Sequence, residues 1–285
     1  MLPAGPRQEA PAVELNGEIY FITGFDETRN AVSDVEAYNP TTNTWRSVAA
    51  LPALLHHANA AGANGRIYVV GGLSDASFDA VGLTYEYDPA TNVWTQRASM
   101  PAGTARGAAA TAAIDGRIYV AGGWRNGAVS DFSVYDPGTD TWTPLQNLPT
   151  AREHFFGAAV GTRFITVGGR NAAGLRNEVE IYDTQTSMWT VAASLPTARG
   201  GLSGGVIDGR VHAIGGEGNG SNATGVFANH EVYDPVANSW TSQLAMPDPV
   251  HGAGAVGVGG VLYVIGGASR QGYAAIARAS AFTPP

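Results

Sequence analysis

A run of four apolar or aromatic residues that ends in a pair of glycines recurs along this chain at nearly constant intervals. In the copy at Arg117–Gly123, the run Ile-Tyr-Val-Ala leads directly into the two glycines. The second glycines of five copies fall at positions 72, 123, 169, 216 and 267, in steps of 51, 46, 47 and 51 residues. Tryptophans at positions 45, 94, 142, 189 and 240 keep the same interval. This repeat constrains the architecture more than any other feature, because each copy must be one structural unit packed against its neighbours.

Each copy of the repeat predicts four short strands. A strand rich in small residues comes first and ends in a tight turn such as Asp115-Gly116, a pair that accepts the positive φ of a two-residue hairpin. The run that ends in the glycine pair is the second strand. The third strand ends in Tyr135-Asp136-Pro137 or its equivalents, because proline cannot donate a ladder hydrogen bond. A turn then leads to a fourth strand that begins at the tryptophan.

The order Gly-Gly, Tyr-Asp-Pro and Trp over roughly 50 residues resembles the kelch repeat, and the likeness, to bacterial-type kelch-like proteins, extends over nearly the whole chain. This resemblance implies an all-β fold: a six-bladed β-propeller of four-stranded antiparallel blades around a central channel. The first strands, rich in Ala and Gly, agree with it, since strands crowded around one axis need small side chains. We expect a single domain over residues 1–285, with repeats at approximately 7–48, 51–98, 101–146, 149–193, 196–244 and 247–285.

The last blade is predicted to be incomplete at its fourth strand. The sixth repeat reaches Ala279–Phe282, the equivalent of the Tyr-Asp-Pro strand, and has no tryptophan strand after it. Two interpretations stay open: the natural chain begins farther upstream and this one is truncated, or the last blade has three strands. The first interpretation favours an exported protein, periplasmic or extracellular, over a cytoplasmic one, although the sequence does not determine the compartment.

Composition argues against several kinds of function. The formal net charge of −8 argues against binding the phosphates of nucleic acids. The chain has no cysteine, which excludes disulfides, thiolate catalysis and thiolate metal sites. No apolar run approaches the ~18 residues of a membrane helix, so we expect no membrane insertion. All sixteen residues counted as Lys or Arg are arginine, which suits planar two-point contacts with carboxylate or phosphate. We expect a monomer.

The connections between blades are the best candidates for a binding site, because function on such scaffolds usually lies on loops held by rigid strands. These connections emerge at the same end of the propeller as the loops between second and third strands. Their aligned positions carry Arg7, Arg106, Arg152 and Arg199, then Glu153 and His251, then Glu9, His57 and His154. The flanking loops carry Trp124, Arg125, Arg170 and Glu217.

We expect these side chains to converge on the channel mouth and to bind an anionic or polyhydroxylated ligand. Guanidinium groups match carboxylates, and the indole of Trp124 could stack on a sugar face. An alternative stays open for the arginines that precede the first strands. As part of the repeat pattern, each could instead bond to neighbouring backbone carbonyls.

Three histidines on alternate blades, His57, His154 and His251, raise the question of a metal ion. Three imidazoles around the axis could hold zinc, but the sequence identifies no carboxylate that would orient them. We therefore predict no metal and no cofactor. His212 occupies a tyrosine position of a second strand and is expected in the core, and no partner for His230 can be named.

Two functions from different classes remain open. The first, which we favour, is a non-enzymatic interaction module whose Arg- and His-lined mouth holds a protein segment or an anionic or carbohydrate small molecule. The second is implied by the resemblance, since bacterial six-bladed kelch-like proteins include sugar epimerases of the sialic-acid mutarotase kind. In such an enzyme arginine would hold the substrate carboxylate. The proton would be moved by residues among Glu9, His57, Glu153 and His154.

Overall fold

All regular structure in the described part of the chain is β-strand. The computed structural model describes residues 1–74 and 76–283. Its strands, numbered β1 to β25 in chain order, form five four-stranded sheets, one three-stranded sheet and one two-stranded hairpin. Within each sheet, strands that follow one another in the chain are antiparallel neighbours. No helix long and apolar enough to cross a membrane occurs in these residues.

The strands group into six blades in chain order. Blade 1 comprises β1 (Ala12–Leu15), β2 (Glu18–Ile22), β3 (Val35–Asn39) and β4 (Thr44–Ser47). Blade 2 comprises β5 (Ala60–Ala63), β6 (Arg66–Ser74), β7 (Asp79–Asp88) and β8 (Val93–Arg97). Blade 3 comprises β9 (Ala110–Ile114), β10 (Arg117–Ala121), β11 (Phe132–Asp136) and β12 (Thr141–Pro144). Blade 4 comprises β13 (Phe156–Val160), β14 (Arg163–Val167), β17 (Val179–Asp183) and β18 (Met188–Val191), with the hairpin β15 (Arg170–Asn171) and β16 (Gly174–Leu175) in its loop. Blade 5 comprises β19 (Ser203–Ile207), β20 (Arg210–Ile214), β21 (His230–Asp234) and β22 (Ser239–Ser242). Blade 6 comprises β23 (Gly254–Val258), β24 (Val261–Ile265) and β25 (Ala279–Phe282).

The blades are arranged in a closed circle. Each first strand packs against the first strands of two neighbouring blades, in the order β1, β5, β9, β13, β19, β23, and β23 packs against β1. The predicted fold class is therefore confirmed: an all-β, six-bladed β-propeller, whose sixth sheet has three strands among the described residues. Pro284 and Pro285, the end of the sixth predicted repeat, lie outside those residues. The repeat boundaries and the single-domain count stay predictions.

The tight turns after the first strands form as the sequence predicts. Asn16, Asn64, Asp115 and Asp208 have φ between 48° and 55°, and the glycine that follows each has φ between 72° and 81°. Positive φ at both central residues gives the turn a twist that matches the flanking strands. These turns fix the register of the first two strands in their blades.

Small residues in the first strands let neighbouring blades approach one another. A Cβ atom added at Gly157 in β13 would lie 2.6 Å from the backbone nitrogen of Thr111 in β9. One added at Gly205 in β19 would lie 2.6 Å from the backbone nitrogen of Gly257 in β23. Real Cβ atoms do not approach other atoms this closely, so the packing at the axis requires glycine at these positions.

Tyrosine and tryptophan tie blades 2, 3 and 5 to the blades that precede them, farther from the axis. Trp94 donates from Nε1 to the carbonyl oxygen of Ala49 at 2.8 Å, and the Asn92 side chain accepts from the Ala49 N–H at 2.8 Å. The hydroxyl of Tyr87 donates to the same Asn92 oxygen at 2.8 Å. Equivalent sets contain Tyr135, Asp140 and Trp142, and Tyr233, Asn238 and Trp240. The aromatic residues that mark the repeat therefore join the blades.

Candidate functional site at the propeller axis

Six backbone groups form a closed hydrogen-bonded ring around the axis, which we call the axial ring. Each member donates its N–H to the carbonyl oxygen of the equivalent residue in the preceding blade, at 2.7–2.9 Å, and Glu9 closes the circle by donating to Gly252. All six residues have φ between 49° and 62°. This left-handed region of backbone conformation is costly for residues other than glycine. The hydrogen bonds of the ring therefore hold its four non-glycine members in that conformation. The members are Glu9, His57, Ala108, His154, Gly201 and Gly252.

Three side chains of the axial ring meet at the axis. The Oε2 atom of Glu9 lies 3.2 Å from Nε2 of His57. The imidazole rings of His57 and His154 are 4.6 Å apart between centroids. Gly252 makes room for this arrangement, since a Cβ atom there would lie 2.2 Å from Oε1 of Glu9. Glu9, His57 and His154 each offer a ligand atom, and these atoms lie within 4.8 Å of one another.

A second group of charged side chains surrounds this trio. Arg170 donates from Nε to Glu153 at 2.8 Å and from Nη1 to Glu217, so that its guanidinium joins blades 4 and 5. Glu153 also contacts Nδ1 of His154. His251 lies 3.5 Å from Glu9 and 3.6 Å from Glu217. We call the whole set the axial cluster: Glu9, His57, Glu153, His154, Arg170, Glu217 and His251.

The axial cluster is enclosed and carries an excess of negative charge. Its side chains are between 1% and 11% exposed, apart from Arg170 at 32%. Three carboxylates face one guanidinium, so with neutral histidines the cluster has a formal charge of −2. Five of the six blades contribute to it, and the axial-ring member from blade 3 is Ala108, which has no ionisable side chain.

Burial and neighbouring charges shift the pKa values within the cluster. Burial lowers the pKa of His57, although the charge of Glu9 acts in the opposite direction. Burial lowers the pKa of His154 well below its ordinary value, and the charges of Arg170 and His57 lower it further. Burial raises the pKa of Glu9, but His57, His251 and His154 outweigh it, so the pKa falls below the ordinary value. For His251, burial lowers the pKa, and contacts with Glu9 and Glu217 raise it by more. Near pH 7 the cluster thus combines an ionised Glu9 with neutral His57 and His154.

A small channel runs along the axis from the axial ring. Its volume is about 180 Å³, and its walls are mostly small residues in and before the first strands, together with Phe155, Phe156 and Leu202. Glu9, His57 and His154 line it at the ring. Pockets for drug-sized ligands occupy roughly 300–1,000 Å³, so this channel has space for an ion, water or a small group and not for a large ligand.

The four arginines predicted to line the mouth do not lie there, which corrects the predicted site. Arg7, Arg106, Arg152 and Arg199 are 0–1% exposed and are enclosed within their blades. Arg199 donates to the carbonyl oxygens of Gly215, Thr197 and Ala213 and pairs with Glu231. Arg106 donates to the carbonyl oxygens of Thr104 and Val120. These guanidinium groups hold backbone together, as in the alternative considered from the sequence, and they are closed to a ligand.

The carboxylate partners of the buried arginines are not among the residues predicted from the sequence. Arg7 pairs with Glu36, Arg152 with Glu180 at 2.9 Å, and Arg199 with Glu231. Each glutamate stands two residues before the tyrosine of the third strand, and Arg106 meets Ser133 at that position. A comparison of the arginine position with this third-strand position, repeat by repeat, could have identified the pairs.

The remaining predicted residues lie on the loop face, the end of the propeller formed by residues 23–34, 122–131, 168–178, 215–229 and 266–278. Trp124 is half-buried there, and its backbone bridges to Gly107 and Ala128. Arg125 forms a two-point pair with Asp131 at 3.0 and 3.1 Å. The structure therefore brings His57, His154, Arg170, Glu217 and His251 together, along with Glu9 and Glu153. Trp124 and Arg125 lie outside the axial cluster, and their role in binding stays a prediction.

Comparison with known proteins identifies the class of protein to which this propeller belongs. The profile of the KLHDC2/KLHL20/DRC7 Kelch-repeats domain matches residues 3–148, and that of the Kelch motif matches residues 151–196. The chain therefore belongs to the kelch-repeat family.

Individual relatives extend this result. The chain is 36% identical over 298 aligned residues to Kelch-like protein terF of Aspergillus terreus. The alignment covers 98% of the chain and 65% of the fungal protein. The chain thus spans slightly less than two thirds of that relative. It is 32% identical over 88 residues to N-acetylneuraminate epimerase of Shigella boydii, covering 27% of the chain and 22% of that protein. The solved structure titled "Structure of YjhT" superposes with a TM-score of 0.81 at 18% identity, over 99% of this chain and 97% of the other, which shows a shared fold.

Proposed function

We propose that this chain is an interaction module that holds a segment of a partner protein on its loop face, across the end of the axis. The observation that carries the proposal is the axial cluster, in which five blades bring ionisable side chains together at one end of a rigid closed scaffold. A channel of about 180 Å³ is too small to enclose a large ligand. A partner would therefore lie across the loop face, and only a small group of it could reach the axis.

The accessible groups around the axis suit a peptide segment. Trp124, Arg170 and Tyr273 are half-buried on three different blades, and aromatic residues and arginine are the side chains most enriched at the centres of protein interfaces. Arg29 lies over the ring of Tyr273 at 3.7 Å, which holds the tyrosine in place. The excess of carboxylates over guanidinium groups in the axial cluster favours a neutral or basic segment over an anionic one. This reverses the ligand preference expected from the buried arginines.

Peptide selection on the intact chain tests this proposal. Peptides selected from a random display library on the wild-type protein would be measured against Trp124→Ala and Arg170→Ala, with Val236→Ser as the control. Val236 is 93% exposed in the turn before β22, on the opposite end from the loop face. We expect Kd to rise more than about tenfold for each loop-face variant, since central interface residues contribute most of the binding free energy. The opposite result would be an unchanged Kd for both loop-face variants and a raised Kd for Val236→Ser alone. That result would place recognition on the other end of the propeller.

A sugar epimerase is the second candidate function, because Glu9 and His57 form a close carboxylate–imidazole pair at the head of the channel. A local match to a relative named N-acetylneuraminate epimerase also supports this candidate function. An ionised Glu9 beside a neutral His57 could accept a proton during ring opening. Nuclear magnetic resonance of anomeric exchange in acidic sugars would test it. Faster exchange with wild type than with Glu9→Gln is expected of an enzyme, and equal rates at the uncatalysed value would exclude one for the sugars tested.

A further inference from the structure

We propose that Glu9, His57 and His154 form a binding site for a divalent first-row transition-metal ion such as zinc, with one coordination position open to the axial channel. These three residues belong to the axial cluster on which the proposed function rests, but zinc binding is measured without a partner peptide, so either proposal can fail alone. It lies within the axial ring, where the sequence alone predicts no metal.

The three side chains already approach the spacing of a metal site. Imidazole and carboxylate ligands lie about 2.0–2.2 Å from zinc, so ligand atoms around a tetrahedral ion are separated by about 3.3 Å. The distance between Oε2 of Glu9 and Nε2 of His57 is 3.2 Å. All three ligand atoms lie within 4.8 Å of one another.

Neighbouring groups orient both imidazoles. Histidines that bind a metal usually donate their other ring N–H to a carboxylate or a carbonyl group. His154 meets this condition, because its Nδ1 faces Glu153, which is held in turn by Arg170 at 2.8 Å. The Nδ1 atom of His57 contacts the ring of His56, which leaves Nε2 directed at Glu9. The carboxylate that the sequence alone could not identify is therefore present.

The backbone around the trio leaves space for an ion. The other three members of the axial ring are Ala108, Gly201 and Gly252, so no larger side chain from the ring competes for the axis. A side chain at position 252 would displace Glu9, since its Cβ atom would lie 2.2 Å from Oε1 of Glu9. The channel below the ring could supply water as a fourth ligand. Three protein ligands and one open position are the arrangement of reactive zinc sites, in contrast to closed structural ones.

The charge of the surroundings also suits a cation. The cluster contains three carboxylates, those of Glu9, Glu153 and Glu217, and a single guanidinium, that of Arg170, which pairs with Glu153 and Glu217. A divalent ion would offset this excess of negative charge. Imidazole and carboxylate together suit zinc, copper, nickel and iron better than calcium or magnesium, which prefer oxygen ligands alone.

Titration of the chelator-treated full chain with zinc chloride alone, followed by calorimetry, tests the site. We expect one ion per chain, and His57→Ala and His154→Ala should weaken binding by more than about 100-fold, since each removes one of three ligands. Glu153→Gln keeps all three ligands and should weaken binding by about 10–100-fold, the usual effect of losing an orienting group. His230→Gln changes a buried histidine away from the axis and should leave zinc binding unaltered.

Cobalt(II) absorption in the visible range supplies a second readout. The wild-type chain should give the intense bands of a low-symmetry four-coordinate ion, and His57→Ala should lose them. Circular dichroism of each variant separates loss of a ligand from loss of the fold, and Glu153→Gln keeps the proposal testable if an alanine variant unfolds. Absence of zinc binding by wild type, or equal binding by wild type and His57→Ala, would overturn the proposal.

Discussion

At the scale of single residues, the buried arginines stabilise the propeller instead of serving a ligand. Arg199 and Glu231 are 0% and 3% exposed, and the guanidinium also satisfies three backbone carbonyl groups. A buried ion pair adds little stability compared with well-packed apolar residues, but removing one partner leaves an uncompensated charge in the interior. Stability therefore falls more when one partner of the pair is substituted than when both are replaced by apolar residues.

We predict that Arg199→Ala lowers the free energy of unfolding by about 3–5 kcal/mol, because Glu231 would remain buried without its cation. The control is Arg210→Ala, whose guanidinium is 60% exposed and lies 3.5 Å from Asp234. Exposed pairs contribute about 0–1 kcal/mol. Chemical denaturation of both variants provides the measurement, and equal losses would refute the structural role assigned to Arg199.

The pair formed by His212 and His230 makes stability depend on pH. Their ring nitrogens lie 2.9 Å apart in the core of blade 5, and burial, with the charges of His212 and Arg199, lowers the pKa of His230 from 6.5 to about 4. The unfolded chain therefore binds the proton more readily than the folded chain between these values. The stability contributed by neutral His230 is fully present above pH 6.5 and is lost as pH falls toward 4.

We predict that wild type loses up to about 3 kcal/mol between pH 6.5 and 4 through this group. His230→Gln should reduce the slope over that window, since glutamine does not titrate. Denaturant midpoints across the pH series provide the comparison. An identical slope in wild type and His230→Gln would show that His230 contributes no pH dependence.

At the scale of strands and turns, most of the structure could be predicted from the sequence. The glycine pairs, the Asn-Gly and Asp-Gly turns and the Tyr and Trp positions act locally or recur once per blade, so their spacing indicates the strands directly. The position of Arg199 in the repeat could also be predicted, but the direction of its side chain could not. Whether a side chain points to the axis or into its own blade depends on the local backbone conformation, which the spacing of residues does not specify.

The glycines of the first strands offer a prediction at the same scale. Gly157→Ala should destabilise the protein by about 1–3 kcal/mol, the usual cost of overpacking, because the new Cβ atom would lie 2.6 Å from the backbone of Thr111. Gly220→Ala is the control, since a Cβ atom there has nothing within 4 Å and the backbone has no positive φ. Its stability should stay the same or rise slightly. Chemical denaturation distinguishes the two, and tolerance of Gly157→Ala would contradict the close approach of the blades.

At the scale of the whole molecule, closure of the circle creates the candidate site. Glu9 and Gly252 are 243 positions apart in the chain, yet they are adjacent members of the axial ring and share a hydrogen bond of 2.7 Å. Only the closed circle brings Glu9 within reach of His57, His154 and His251 together. The convergence of these residues could be predicted from the repeat. Their pairing with Glu153, Arg170 and Glu217 depends on the rotation of each blade and on rotamers, which the repeat does not specify.

We propose that this propeller recognises a partner on the loop face around the axis. Hydrogen–deuterium exchange of the wild-type chain, with and without a selected peptide, tests it most directly. We predict slower exchange in residues 122–131, 168–178, 215–229 and 266–278, and unchanged exchange in the turns at Asn64-Gly65, Asp115-Gly116 and Asp208-Gly209. Protection confined to those turns or to the outer fourth strands, with the loop face unchanged, would contradict the account.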